Sequence, residues 1–374
     1  METPDKYSFN NSKKSCSCNK GFEIKPDNNI ATQALTGQTI LRTYNAHSNN
    51  LSEELKETSN SNAKPILLAF LPCGLRNAFK EALIRVFPDL FENEKIIIEG
   101  NLNFEKKIHH YIDSLFLANE LPDIFITADF NSLYHSYFLN NFLNENYFDK
   151  SLTTVHPFYK KAECFDHNGI MTILSANLLV MVVDKHRYEG KYLPTNLENL
   201  LDSSLNKSIV LRGDDDFFCN AVFFPIYKKY GEQGLSQLAK NTKNGMHPSE
   251  MIKAINSGNN SSAAVYVMPY SFALKIRNNE RFQVIWPEEG AIVSPVQMLV
   301  KKGSYAKYNK LIDYLLGNEM GNVLEQVGFP SVNIDTEKNY PGKNLNWIGW
   351  DYIMKNDIKE TKETMQNIFY KAYK

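Results

Sequence analysis

No stretch of this sequence stays apolar for the roughly 20 residues that a bilayer-spanning helix needs, and neither sign of charge dominates it. Its 41 Lys and Arg stand against 42 Asp and Glu, a net charge of -1. The first absence argues against membrane insertion. The second removes any case for nucleic acid or an anionic membrane surface as partner. The longest apolar candidate, "IMTILSANLLVMVV" (Ile170–Val183), is interrupted by Ser175 and Asn177 and reads as a buried strand. The opening "METPDKYSFNNSKKSCSCNKG" has no apolar core of a leader peptide, so the chain is expected in the cytoplasm. An extracytoplasmic, membrane-associated placement follows instead if the start is misassigned. Five cysteines, at 16, 18, 73, 164 and 219, form an odd set without disulfide spacing, which suits a reducing compartment. Cys16 and Cys18 form a C-x-C in a polar tail, a solvated thiol pair or a weak metal signal. No catalytic triad, P-loop, zinc finger, dinucleotide-binding glycine pattern or helix-turn-helix is present.

What is present is a regular alternation. Residues 1 to 62 are rich in Asn, Ser, Lys and Thr and read as a flexible extension, with a short helix near Asn29–Leu41. From Pro65 onward "ILLAF" is a buried strand. Leu75, Phe79, Leu83 and Phe87 then step by four, marking an amphipathic helix. "KIIIEG" (Lys95–Gly100) is a second strand, and Ile108, Tyr111, Ile112 and Leu115 stripe a second helix. "DIFITA" (Asp123–Ala128) is a third strand, with a helix near Ser132–Phe142. Strands and helices at this spacing give right-handed βαβ units and a parallel sheet, whose ligands bind beyond the carboxyl ends of the strands. The pattern then restarts. The long strand leads to a short helix at Leu193–Asp202, the strand "SIVL", the turn "RGDDD" and a helix through Tyr230. The strand "AAVYVM" runs into a helix at "PYSFALKI", the strand "IVSPVQMLV" follows, and helices including Tyr308–Gly328 end the chain. A length of 374 residues, 43% of them hydrophobic and 22% charged, is enough for two lobes with separate cores.

Three stretches carry a family resemblance: "LPTNLENLLDSSLNKSIVL", "AAVYVMPYSFALKI" and "AIVSPVQMLVKKGSYAKYNKLIDYLLGNEMGNVLEQVGFPSVN". In order and spacing they resemble the class II solute-binding proteins of ABC transporters, in the branch of ferric-iron, thiamine and polyamine binders, from roughly Pro65 to Val332. The resemblance implies an α/β fold of two lobes with mixed, mostly parallel sheets joined by two crossover strands. It assigns residues 64–172 and 295–374 to one lobe and 183–289 to the other, with crossovers at Ile173–Val182 and Ala291–Val296. It further implies hinge closure on a small-molecule or metal ligand, with an ABC transporter permease as partner. The competing class is a cytoplasmic enzyme or cofactor carrier using a cleft cysteine on the same scaffold.

Candidate site residues sit where strands give way to helices. Cys73 and Gly74 lie at the exit of the first strand; a helix terminus there favours thiolate at Cys73, which is otherwise a small core residue. Arg76, in the first turn, could grip an anion or simply face solvent. Asp129, Phe130 and Asn131 follow the third strand. Asp129, Phe130, Tyr134 and Phe217 could together form the acid-and-aromatic box of polyamine binders, or the aromatics could be packing. Gly213, Asp214 and Asp215 lie in the "RGDDD" turn, where acids either cap a helix or face a cation. Cys219 falls one turn further, on a stripe with Val222, Phe223 and Ile226. If Cys73 and Cys219 both reach the cleft, with His247 as a further candidate ligand, the site suits a transition metal or a metal-containing cofactor. His109 and His110 are adjacent on a helix and cannot share a face; His135, His156 and His167 have no partner spacing. Tyr270 stands where the ferric-iron binders carry a Tyr-Tyr pair. Here the pair is Tyr270-Ser271, which lacks the second phenol.

Overall fold

The computed structural model describes residues 65–92, 96–100, 121–143, 146–151, 154–189, 192–214, 217–258, 263–336 and 340–374. Cys16, Cys18, His109, His110, Asp215, the helix at Asn29–Leu41 and the helix striped by Ile108–Leu115 lie outside these residues.

The first unit follows the apolar pattern closely. Strand β1 (Leu67–Leu71) ends at Pro72, and α1 (Cys73–Val86) buries Leu75, Phe79, Ala82 and Leu83, its four-residue stripe. A single turn, α2 (Pro88–Glu92), precedes β2 (Ile96–Gly100), and β3 is Ile124–Ala128. Both β2 and β3 pair with β1 in parallel. The helix expected near Ser132–Phe142 is broken. A 3-10 turn at Ser132–Tyr134 and α3 (Ser136–Asn141) are separated by His135 in extended conformation. The one-turn α4 is Pro157–Lys161.

Strand β4 (Thr172–Asp184) is buried along all 13 residues, which is why its sequence is a nearly continuous apolar run rather than an alternation. It pairs antiparallel with β9 (Ala291–Val300) from Thr172 to Leu179, then with β7 (Val265–Pro269) from Leu179 to Val183. Beyond it come β5 (Ile209–Arg212), α5 (Asn220–Asn241), β6 (Thr242–Met246) and α6 (Pro248–Ser257). The one-turn α7 (Tyr270–Ala273) and β8 (Phe282–Ile285) bracket the return to β9. The sheet order is β2-β1-β3-β9-β4-β7-β5-β6, so β4 and β9 carry one continuous sheet from the β1–β3 half into the β5–β7 half. Strand β8 pairs β4 at the side, and β10 (Leu345–Asn346) pairs β9. The architecture is α/β and two-lobed.

Several local expectations change. At Leu193–Asp202 there are only 3-10 turns, because Asn199 Oδ1 accepts the Thr195 N–H at 2.9 Å and Asn196 Oδ1 accepts the Asn199 N–H at 3.0 Å. Those side chains satisfy backbone groups that a helix would have paired. Helix α5 runs on past Tyr230 to Asn241 through a kink at Gly231 (φ 61°). Helix α7 stops after a single turn. Two strands, β6 and β8, are additional to those expected.

Two cores result. One lies between a face of β1–β3 and helices α1, α8 (Ser304–Leu316) and α9 (Asn318–Gln326). The other begins on the opposite face at Phe70 and Phe125 and continues through β4, β7 and β5 to α5. The last segments, α10 (Trp350–Lys355) and α11 (Ile358–Tyr373), join this second core. Residues 295–374 were expected together in the first lobe, but α11 packs along α5 of the other half. The reason is aromatic: Phe369 stacks on Phe223 at 4.5 Å and meets Phe218 at 4.9 Å. Among the described residues no helix is long and apolar enough to cross a membrane.

Candidate functional site

The exits of β1, β3, β5 and β7 face a common seam between the two halves. At the β1 exit, Pro72 leaves its carbonyl to accept the N–H groups of Leu75 (2.9 Å) and Arg76 (3.0 Å), which starts α1 at once. Cys73 is half-buried there. Gly74 meets the opposite half directly. A Cβ on it would stand 3.2 Å from Ser271 Oγ and 3.2 Å from a Phe272 ring carbon there, and 3.4 Å from Phe329 of its own half. Arg76 turns along β2, with Nη1 3.4 Å from where a Cβ on Gly100 would stand. Its charge works against the burial that raises the Glu99 carboxyl.

At the β3 exit Asp129 adopts a left-handed conformation (φ 69°), which a short polar residue tolerates. It is held by its N–H donating to Pro295 O at 2.8 Å and by its Oδ1 accepting the Phe130 N–H at 2.9 Å. Its other oxygen, Oδ2, points across the seam to Cys219 Sγ at 3.8 Å. The neighbouring candidates have structural duties instead. Asn131 donates to Thr127 Oγ1 at 2.7 Å and accepts from the Leu133 N–H at 2.9 Å, capping the following turn. Phe130 is buried against Phe224 (4.7 Å), Tyr134 (5.3 Å) and Trp347 (5.7 Å). Phe130 and Tyr134 therefore belong to a core aromatic cluster, so the box imagined for Asp129, Phe130, Tyr134 and Phe217 is not assembled at the seam.

At the β5 exit the residue that matters was not singled out in the sequence. Arg212 is 5% exposed, and its Nη1 lies 3.3 Å from Cys219 Sγ. Cys219 sits at the N-cap of α5, with its N–H donating to Arg212 O at 3.0 Å. The intervening turn is tight. Gly213 has φ 146°, and a Cβ there would fall 2.0 Å from Phe217 O, so only glycine fits. Asp214 closes the turn, its Oδ1 accepting the Phe217 N–H at 2.8 Å; it caps no helix, since the N-cap of α5 is Cys219. His247 caps α6: its Nδ1 accepts the Ser249 N–H at 3.3 Å, and Glu250 completes the capping box. Its ring lies 6.3 Å from Phe272, on the seam side.

At the β7 exit Tyr270 opens α7, its ring edge-on to Trp286 at 5.3 Å. Burial, and then the nearby Glu325 carboxylate, raise its phenol above the usual value. Glu325 is itself buried, accepting the Ser331 N–H at 2.8 Å and the Tyr340 hydroxyl. Arg212, Phe272, Glu325 and Trp286 are the site-bordering residues that sequence reading missed. A buried Arg or Glu has no periodic signature, and only the strand-exit rule pointed near them. Among the described residues no group of three His, Cys, Asp or Glu side chains is gathered to hold a metal ion. Cys73, Cys219 and His247 therefore form no ligand trio in this arrangement.

Two of the histidines give the protein a pH dependence. Burial lowers the imidazoles of both His156 and His247 below their ordinary value, and the Arg212 charge lowers His247 further, against partial offsets from Glu325 and Glu250 respectively. Unfolded, each takes up a proton near pH ~6.5. Their contribution to stability is therefore present above that pH and is lost as the pH falls below it, because the unfolded chain binds more protons there. The urea midpoint is expected to drop between pH 7 and 5. Replacing both residues by Asn, which keeps each N-cap, should flatten that drop.

A two-lobed α/β molecule with strand exits converging on an interlobe seam is the architecture of the class II binding proteins. Solved structures that resemble it agree, at identities that bear on the fold alone. They include a Bordetella ferric binding protein, with 14% identity, TM-score 0.53, and coverage of 78% of this chain and 96% of that one. Apo ferric ion-binding protein A of Pasteurella haemolytica has 14% identity, TM-score 0.58, and coverage of 81% and 97%. An ABC transporter structure from Clostridium perfringens has 16% identity, TM-score 0.55, and coverage of 83% and 100%. No curated protein sequence matches the chain. The model of the bacterial extracellular solute-binding protein family matches residues 119–356, and the chain belongs to that family. It is a solute-binding protein; the alternative of a catalyst or cofactor carrier on the same scaffold is not favoured. Membership also overturns the cytoplasmic placement expected from the polar N-terminus, since the family is extracellular. The composition of a first segment does not report where a binding module works.

Proposed function

We propose that the chain closes on a small ionised solute between its halves and delivers it to the permease of an ABC-type transporter. The lobes are 64–172 with most of the segment after 295, and 183–289. They are hinged at Ile173–Val182 of β4 and Ala291–Val296 of β9. The observation that carries this reading is the seam contact in which Asp129 Oδ2 of one half meets Cys219 Sγ, itself 3.3 Å from the buried Arg212 guanidinium of the other. Charged and polarisable groups gathered from both halves are what a closing ligand needs, because only contacts made to both lobes shift the hinge. Arg212 and the α1 N-terminus suit a carboxylate or phosphate. Asp129 and the thiols of Cys73 and Cys219 suit a metal carried within a complex. The solute is a small organic ion or a metal complex. A ferric ion held by two adjacent phenolates is disfavoured by Ser271 following Tyr270.

Native mass spectrometry with elemental analysis of anaerobically purified protein identifies what is bound. The Arg212→Ala and Asp129→Asn variants are expected to bind that species about tenfold or more weakly. Full occupancy in both variants would overturn the seam as the binding site.

A further inference from the structure

Away from the Asp129–Cys219–Arg212 contact, the β7 exit carries a second arrangement with its own chemistry. Tyr270 and Trp286 stand nearly perpendicular, their ring planes at 78° and their centroids 5.3 Å apart. The Lys343 ammonium is over both, 4.6 Å from the Trp286 centroid and 5.4 Å from that of Tyr270. Two aromatic faces meeting at a corner, each turned to one cation, attract an alkylammonium through their ring quadrupoles. The corner is rigidly built. Trp286 Nε1 donates to Asn344 O at 2.7 Å, and Trp286 has Tyr340 and Phe158 each 6.3 Å behind it. Tyr340 and Phe158 stack at 4.6 Å, and the Tyr340 hydroxyl is bonded to the buried Glu325 carboxylate, a negative charge near the corner. The loop bearing Lys343 is pinned on both sides of it, by Tyr340 and by Asn344, whose carbonyl also accepts the Ala291 N–H at 3.1 Å. The Lys343 side chain is half-buried where it lies on the rings.

We propose that Tyr270 and Trp286 form a binding corner for an alkylammonium group, occupied in this state by the chain's own Lys343. The ligand class is an amine or quaternary ammonium, and Lys343 is its internal competitor. A tethered competitor has a high effective concentration, so an external ammonium meets a raised threshold that ends when Lys343 is removed. The corner borders the seam of the proposed solute site but uses neither Arg212 nor Asp129, so ammonium binding tests it apart from the solute at Arg212.

Tetramethylammonium chloride, matched against sodium chloride for ionic strength, is the probe, and tryptophan fluorescence is the readout. Lys343→Met, a change on a surface loop that retains the apolar stem, is expected to show a saturable response at least ~10-fold tighter than the unmodified protein. Adding Tyr270→Leu to Lys343→Met, which removes one wall of the corner and keeps the Trp286 reporter, should abolish it. Circular dichroism confirms that each variant is folded, and Lys343→Gln serves as the second vacating variant. Overturning results are the absence of a saturable response in both vacated variants, or one that survives loss of Tyr270.

Discussion

Replacing Gly74 with leucine is expected to weaken binding of the cleft solute by about tenfold or more while leaving the melting temperature within a few degrees of the parent. The glycine opens α1, and a Cβ at that position would already lie 3.2 Å from both Ser271 Oγ and the Phe272 ring across the seam. An alanine would ask its neighbours to give by a few tenths of an ångström. A leucine sends three further carbons into the same space, between a helix terminus and α7. Overpacking of this kind costs about 1–3 kcal/mol. Under the proposed hinge the cost falls mainly on the state in which the halves touch, because opening would carry α7 away from α1. A penalty confined to the closed state appears as lost affinity and not as lost fold. Titration calorimetry with the co-purified solute reads the affinity. Small-angle scattering should show a larger radius for the variant in the presence of solute. A leucine variant that binds and compacts as the parent does would mean that α1 and α7 are not closing surfaces.

The fold was legible where burial writes a pattern. Strands β1, β4 and β9 are buried almost throughout, so their apolar runs announced them, and α1 declared itself by its four-residue stripe. Strand β6, "TKNGM", was not legible. It lies at the sheet edge with mostly polar side chains, and its Gly245 is set by close approach to Asp214 O, a tertiary demand. The site was legible as a set of strand exits, since parallel sheets bind there. Which residue at each exit faces the partner half was not. Asn131 went to capping, Asp214 to closing a turn, Phe130 to the core, and Asp129 to the seam because a left-handed backbone turned its carboxylate outward. Arg212 could not be chosen from sequence, because its burial depends on Cys219 and on two halves meeting. The C-terminal helix was assigned to the wrong neighbour for a related reason: its aromatic residues specify burial but not the surface that buries them.

That helix makes the largest expected change in stability. Phe369→Ala should cost about 3–5 kcal/mol in urea denaturation, the range for truncating a fully buried phenylalanine. The ring is completely buried, stacked on Phe223 at 4.5 Å, with Phe218 at 4.9 Å and Tyr373 at 5.8 Å. Those partners come from the first turn of α5, the residue just before its N-cap and α11 itself, so the cavity left behind is walled by large rings that cannot collapse into it. The same segment also reaches the first half, where the buried Lys362 Nζ donates to Phe130 O at 2.9 Å, one residue from Asp129. Loosening α11 from α5 therefore loosens the support under the seam. Phe369→Leu, which retains most of the apolar volume, should cost much less, since the loss follows the empty space created. Solute binding should stabilise the alanine variant by the same mass-action amount as the parent at saturating solute if α11 is only a structural strap. An alanine variant with an unchanged urea midpoint would show that α11 does not hold to α5 through Phe369.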